Sequence, residues 1–196
     1  MGATELTLTP SSPTSALLVR RAKAGDREAF EALVRQHERV VLRTALRLLG
    51  RLDLAQDAAQ EVFLRMHKYL GRFDDDRELG PWLYRMVVNV CHDVRRRRGA
   101  ATVALDDVDE PAAAEDVPRE VEGRIDRDRR RALVARALDA LPPKERAALV
   151  LRDIEGLPTR DVARILGSSE TTVRSQISTG RVKVKTLVEE FLKRRS

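Results

Sequence analysis

Apolar residues recur at three- and four-residue steps in block after block of this chain, a spacing that predicts an all-α fold of amphipathic helices. A first helix is expected from near Ser15, carrying Leu17, Leu18 and Val19, and ending at Gly25. Asp26 is a natural N-cap for a second helix, whose stripe of Phe30, Leu33, Val34, Val41, Ala45 and Leu48 runs to Gly50. A third helix is expected from about Asp53 to Gly71, with Ala55, Ala58, Ala59, Val62, Met66, Tyr69 and Leu70 inward. Pro81 suits the first turn of a fourth, in which Trp82, Leu83, Met86, Val87, Val90 and Val94 face the core and Arg95 to Arg98 form the exit. Helical pattern resumes near Arg119 with Ile125, Leu133, Ala137 and Leu141, is punctuated by Pro142-Pro143, and returns from Glu145 to Glu155 with Ala148, Leu149, Leu151 and Ile154.

The last block, Leu157 to Leu187, predicts two helices joined by a tight turn. Val162, Ala163, Ile165 and Leu166 form the apolar face of the first. Gly167 stops it, because glycine takes the left-handed conformation without steric cost. Ser168 and Ser169 then supply acceptors for the free amides of the next helix. In that helix Val173, Ile177, Gly180, Val184 and Leu187 make the buried stripe, and Thr171, Arg174, Ser175, Ser178, Arg181 and Lys185 lie opposite. The whole is a helix-turn-helix with a basic outer face. Such a face fits the major groove of DNA, where arginine bridges two guanine acceptors. A helical hairpin with a merely solvated cationic face fits the same pattern.

The breaks between blocks divide the chain. Residues 1–14, rich in Thr, Ser and Pro, read as a disordered leader, and residues 99–118, with Pro111, Pro118 and no sustained periodicity, as a linker. Two helical domains, 15–98 and 119–196, follow. Composition agrees, since 35% charged and only 4% aromatic residues suit small helical domains. The net charge of +6 favours a polyanionic partner, and its distribution sharpens the point. Residues 171–196 hold seven Lys/Arg against two Glu, whereas residues 100–118 hold six acidic residues and no basic one. The segregation raises the expectation that the basic C-terminal domain folds back, in the free protein, towards residues 106–116 and the Asp74–Asp76 loop.

Candidate chemistry is confined to surfaces. On the third helix the face opposite the core carries Asp57, Gln60, Glu61, Leu64, Arg65 and Lys68, with Phe63 at its edge. An outward leucine on an acidic, amide-rich face suits docking as well as plain solvation. The arginine run Arg95 to Arg98 suits either a phosphate grip or a cluster complementing the helix dipole. A single cysteine, Cys91, excludes an intrachain disulfide, and neither Cys91 with His92 nor His37 belongs to a metal-spaced set. No nucleotide-binding glycine loop or nucleophile elbow is present, so neither enzyme chemistry, a metal nor a cofactor is expected. Lack of a signal-peptide pattern or membrane-length apolar run makes the cytoplasm the default location.

The order of these elements resembles a bacterial RNA polymerase sigma factor of the sigma-70 family, in the extracytoplasmic-function (ECF) group. DAAQEVFLRMHKYLGRF (Asp57 to Phe73) is similar to region 2.2, PWLYRMVVNVCHDVRRRR (Pro81 to Arg98) to regions 2.3 and 2.4, and LPPKERAALVLRDIEGLPTRDVARILGSSETTVRS (Leu141 to Ser175) to region 4. The resemblance implies a non-enzymatic initiation factor that binds core RNA polymerase and directs it to promoter DNA. Asp57, Gln60, Glu61, Phe63 and Leu64 would meet the clamp of the largest subunit, and region 4 the flap. Asn89 and Arg95, Arg96, Arg97 and Arg98 would serve the −10 element, together with the loop RFDDDRELG over a structural Trp82. Thr159, Arg160, Thr171, Thr172, Arg174, Ser175, Ser178 and Arg181 would serve the −35 element. An inhibitory anti-sigma factor is a further implied partner, with a monomer in its absence. Two departures stand out: Gln176 and Ser178-Thr179 leave the recognition helix with fewer cations than the family commonly has, and Asp74-Asp75-Asp76 make the −10 loop more acidic. An autonomous helix-turn-helix regulator is the alternative.

Overall fold

A computed structural model describes residues 13–102 and 132–193. The expected leader, most of the acidic linker and the segment around Ile125 lie outside the described residues. Every regular element among the described residues is helical. Helix α1 spans Pro13–Lys23, α2 Arg27–Leu49, α3 Leu52–Tyr69 and α4 Leu79–Thr102. In the C-terminal half α5 covers residues 132–139, followed by α6 (Pro143–Leu149), α7 (Thr159–Leu166) and α8 (Glu170–Lys193).

The N-terminal half is a bundle of α2, α3 and α4 with α1 laid across α2. Asp26 caps α2 by accepting from the Ala29 amide at 3.0 Å, and that bond, aided by Arg21, holds its carboxyl below the usual range. Gly50 ends the helix in the left-handed region at φ 75°. Leu33, Val41, Ala45, Val62, Met66, Leu83, Val87 and Val90 are sealed from solvent at the centre, so the apolar stripes fall where their spacing puts them. Three details differ. Tyr69 is 38% exposed, because α3 gives way there to a 3-10 turn at Leu70–Arg72 that rotates the ring out while Leu70 goes in. Helix α4 begins two residues before Pro81, which still occupies the first turn, and runs on to Thr102, past the four arginines. Tyr84 is wholly buried, which its phenol makes possible by donating to a carboxylate in the other half of the chain.

Cys91 is a buried helix residue whose thiol burial pushes up to about 12, leaving it an inert thiol. His37 is also buried; its Nδ1 lies 2.7 Å from the Leu33 carbonyl, and desolvation lowers its pKa. It packs within the helix.

In the C-terminal half Pro143 opens α6 in the N1 position. The helix does not run evenly to Glu155. It widens into a π turn at Val150–Ile154, with the Glu155 amide donating to Val150 O at 2.9 Å, before Gly156 at φ 73° reverses the chain. Val162, Ala163 and Ile165 of α7 and Val173 and Ile177 of α8 are buried against α6, and Gly180 faces Leu149 and Glu145 with room for an ordinary side-chain contact. The far end of α8 is held where the Arg136 guanidinium lies 4.6 Å over the Phe191 ring. The two halves are docked: α7 packs on α4, and α6 with its π turn on α2. Most of the buried apolar residues of both halves form one continuous cluster.

Candidate DNA and polymerase interfaces

The helix-turn-helix is built as its spacing requires. Gly167 ends α7 at φ 60°, with its amide bonded back to Ala163 O. Of the two serines only Ser169 caps α8, its hydroxyl accepting from the Thr172 amide at 3.1 Å. Thr172 Oγ1 lies 2.8 Å from that same hydroxyl, so its side chain is part of the cap. Thr171, Arg174, Ser175, Ser178 and Arg181 are all exposed on the outer side of α8. Thr159, Arg174, Ser178 and Arg181 line one shallow groove together with Arg152, a residue that sequence spacing does not single out. Arg152 reaches that groove because the π turn alters the helical phase between α6 and α7, and residue order carries no signal for such a turn. Arg160 sits at the start of α7, largely exposed, 3.9 Å from Asp161.

The cations of this face are not idle in the free protein. Arg174 bonds Glu170 one turn back at 2.7 Å. Arg181 makes a fork with Asp153 at 2.7 and 2.6 Å, and that carboxylate raises its already high pKa. Both pairs are exposed, so salt and a competing phosphate can displace them.

On α3, burial of Ala55, Ala58, Ala59, Val62 and Met66 turns Asp57, Gln60 and Leu64 to solvent; Leu64, a large apolar side chain, is 59% exposed. Phe63 and Glu61 are half-buried at its edge. Glu61 accepts from Arg65 at 2.7 Å and strengthens its proton hold, while Arg65 also reaches Asp93 of α4 at 3.5 Å. All five predicted docking residues therefore share one side of one helix.

The loop before α4 is propped from below: the Phe73 and Trp82 rings lie 4.9 Å apart, with Phe73 buried. Trp82 thus has the structural place expected of it. Two of the three aspartates are matched within the bundle, Asp75 by Lys23 Nζ at 2.7 Å and Asp74 by Arg77 at 3.1 Å. The C-terminal half is docked through α6, the π turn and α7, and these two aspartates are already engaged elsewhere; residues 106–116 lie outside the described residues. Asn89 is exposed on α4. The arginine run divides. Arg96 and Arg97 are exposed near Asp93, whereas Arg95 is turned towards the junction of the halves, where it donates to Leu48 O of α2 at 2.9 Å and to Asp139 of the C-terminal half.

Comparison with known proteins accounts for both halves. Residues 33–101 match the family model described as Sigma-70 region 2, and residues 131–184 that described as Sigma-70, region 4. The chain is 39% identical over 177 residues to the ECF RNA polymerase sigma factor SigM of Mycobacterium tuberculosis, covering 89% of this chain and 85% of that one. It is 32% identical to the RNA polymerase sigma-H factor of Pseudomonas aeruginosa, over 90% of this chain and 94% of the other. Among solved structures, CnrH in complex with the cytosolic domain of CnrY superposes with a TM-score of 0.65 at 27% identity, over 91% of this chain and 99% of that one. The sigma factor RpoE of Bartonella quintana, solved with the anti-sigma factor NepR, shares the fold at a TM-score of 0.67 and 21% identity, over 82% and 96% of the two chains.

The chain belongs to the sigma-70 family of RNA polymerase sigma factors, in its ECF group. It is a transcription initiation factor that directs RNA polymerase to promoters. Among the described residues no group of His, Cys, Asp and Glu is placed to hold a metal ion, and no helix is long and apolar enough to cross a membrane.

Proposed function

We propose that the three surfaces divide the work of initiation as follows. The α3 face, Asp57, Gln60, Glu61, Phe63 and Leu64, docks on the clamp of the polymerase largest subunit, and the C-terminal half meets the flap. Asn89 and the loop after Phe73 engage the −10 element on the exposed strand, where a base leaves the stack to be read, while Arg95 to Arg98 hold nearby phosphates. Thr159, Arg160, Arg174, Ser175, Ser178 and Arg181 engage the −35 element, with Thr171 and Thr172 beside them in the first turn of α8. Arg152 joins the phosphate contacts of that groove. The observation that carries this division is the groove itself, in which three arginines from two separate elements converge beside the exposed side of α8. An exposed guanidinium there gains counterion-release energy on duplex DNA and exchanges a weak surface pair for it.

The protein works in the cytoplasm as a monomer when free of partners, without catalytic residues, metal or cofactor of its own. An anti-sigma factor is its natural inhibitor, by analogy with the complexes named for CnrH and for the Bartonella sigma factor.

Run-off transcription with bacterial core polymerase tests the whole. The expected outcome is a discrete start site dependent on the added protein. Replacing Gln60 and Leu64 together with Arg should weaken core binding at least tenfold, with about 1.4 kcal/mol per decade, and leave helicity intact because both side chains are exposed. Undiminished core affinity in that folded double variant shows that another surface docks. Tight operator binding without core, and no transcript with it, would point to an autonomous regulator.

A further inference from the structure

Helix α1 belongs to none of the three surfaces, yet its last residue reaches one of them. Val19, 3% exposed, is seated in the core of the bundle, and Lys23 lies one helical turn further on the same face. The turn after it is closed by the Gly25 amide on Ala22 O at 3.0 Å and the Asp26 amide on Arg21 O at 3.1 Å, with Gly25 in the left-handed region at φ 92°. Lys23 Nζ is thereby carried to the loop before α4, where it donates to Phe73 O at 2.9 Å and to Asp75 Oδ1 at 2.7 Å. Its side chain keeps 24% of its surface in solvent.

A surface ion pair needs an opposite charge within reach and leaves position loose. A main-chain carbonyl is fixed in place. An ammonium shared between Phe73 O and the Asp75 carboxylate therefore locates the backbone of the loop as well as offsetting its charge. The ring of Phe73 is already held below, 4.9 Å from that of Trp82. Beyond it the chain turns on itself: the Asp74 carboxylate accepts from the Asp76 amide at 3.2 Å and from Arg77 Nε at 3.1 Å, and Asp74 O from the Arg77 amide at 3.0 Å. That turn has its own shape but needs an outside tie to have a place, and Lys23 is that tie.

Place matters for a loop that reads bases. Discrimination comes from hydrogen bonds whose distance and angle must fit, so a displaced loop keeps its charge while losing them. A loop held ready before the strand arrives also avoids an ordering cost on binding. Charge works in the same direction. With Lys23 on Asp75 and Arg77 on Asp74, two of the three consecutive carboxylates are offset where a polyanionic strand has to approach.

We propose that α1 splints the −10 loop and that Lys23 is its positioning residue, donating to Phe73 O and Asp75 so that the loop meets the strand in one place. Lys23 sets how finely the loop distinguishes bases; it does not set how tightly the factor holds polymerase or the −35 element. It acts without touching DNA. The splint rests on the assignment of this loop to the −10 element.

The test uses holoenzyme, reconstituted from the full-length protein and bacterial core polymerase, on the promoter mapped by run-off transcription. The probes are a −35 duplex and single-stranded oligonucleotides carrying the −10 element, with the natural sequence or with each base replaced in turn. Lys23→Met should reduce the preference for the natural strand about tenfold. Affinity for core and for the −35 duplex should stay within about twofold, since both surfaces are distant from Lys23. Lys23→Gln, too short to reach both acceptors, serves if Lys23→Met loses helicity. Lys23→Met with Asp75→Asn removes both charges of the pair and should discriminate as poorly as Lys23→Met alone. Restored preference in that double variant would make Lys23 a charge offset and overturn the positioning role; an unchanged preference in Lys23→Met overturns it outright. Joint replacement of Asp74, Asp75 and Asp76 with Ala separates the splint from the assignment beneath it. If that variant still prefers the natural strand, the loop is not the reader and the assignment falls together with the proposal. If it loses the preference while Lys23→Met keeps it, the splint alone falls.

Discussion

Arg146 and Arg174 are both arginines hydrogen-bonded to a carboxylate, and they serve opposite ends. Arg146 is 1% exposed and its guanidinium is shared among Asp139 and the carbonyls of Leu48 and Leu141. Arg174 keeps 65% of its side chain in solvent and holds only Glu170, one helical turn away. Around the two terminal nitrogens of Arg146 the protein has replaced water, although Nε is buried without a partner, so removing the side chain strands several acceptors. Around Arg174 water remains, the pair contributes only a few tenths of a kcal/mol, and the guanidinium is free to change partner. Burial, rather than pairing, separates the arginine that holds the fold from the arginine proposed to meet DNA. Arg181 stands between them, held in a two-bond fork by Asp153 yet with 61% of its side chain exposed.

The largest effect should come from Arg146→Ala. Loss of a buried charged donor with several acceptors left unmatched costs about 3–5 kcal/mol, to be read from urea unfolding of the free protein. A change below about 1 kcal/mol would mean that water enters the site and that the contrast with Arg174 is false. Arg174→Ala is the counterpart: stability should move by less than about 0.5 kcal/mol, while promoter discrimination falls by about 1–3 kcal/mol if the side chain bridges a base. A uniform loss over all sequences would make Arg174 a phosphate contact and leave the contrast intact. Smallest is the effect of an exposed carboxylate. Asp53 is forked by Arg51 at 3.1 and 2.7 Å, and that bond, with the Leu54 amide, holds its pKa at about 2 instead of 3.8. Its folded pKa lies below the unfolded value, so its stabilisation is present above about pH 4 and fades between there and about pH 2. A carboxyl NMR titration should place the midpoint near about 2; a midpoint near the unperturbed 3.8 would show that the exposed fork contributes nothing.

Much of the architecture is legible in the sequence because it is local. The spacing of Leu33, Val41, Ala45 and Leu48 fixes one side of α2 whatever that helix packs on. Gly167 with Ser169 specifies a turn by its own backbone and side-chain chemistry. Outward placement of Leu64 and Arg174 follows from the same periodicity, so residue spacing alone outlines the candidate surfaces. Periodicity misplaces Tyr69 because the helix tightens into a 3-10 turn one residue later. It passes over Arg152 because a π turn shifts the phase of the residues that follow α6. Both errors arise where the backbone leaves the 3.6-residue period on which the inference depends.

What the sequence determined by itself is therefore the set of helices, their inward faces and the family to which the chain belongs, since each depends on residues three or four apart or on motifs read in order. The tertiary structure alone decided that Glu155 lies in a pocket made by Thr44, Arg47 and Tyr84, more than seventy residues away in every case. It likewise decided that Arg95, one of four consecutive arginines, faces the junction of the halves while Arg96 and Arg97 face solvent. A charged residue carries no periodic mark of whether it will meet water or a distant partner. That depends on which surfaces dock, and docking is settled by the shape and hydrogen-bonding capacity of two folded faces at once.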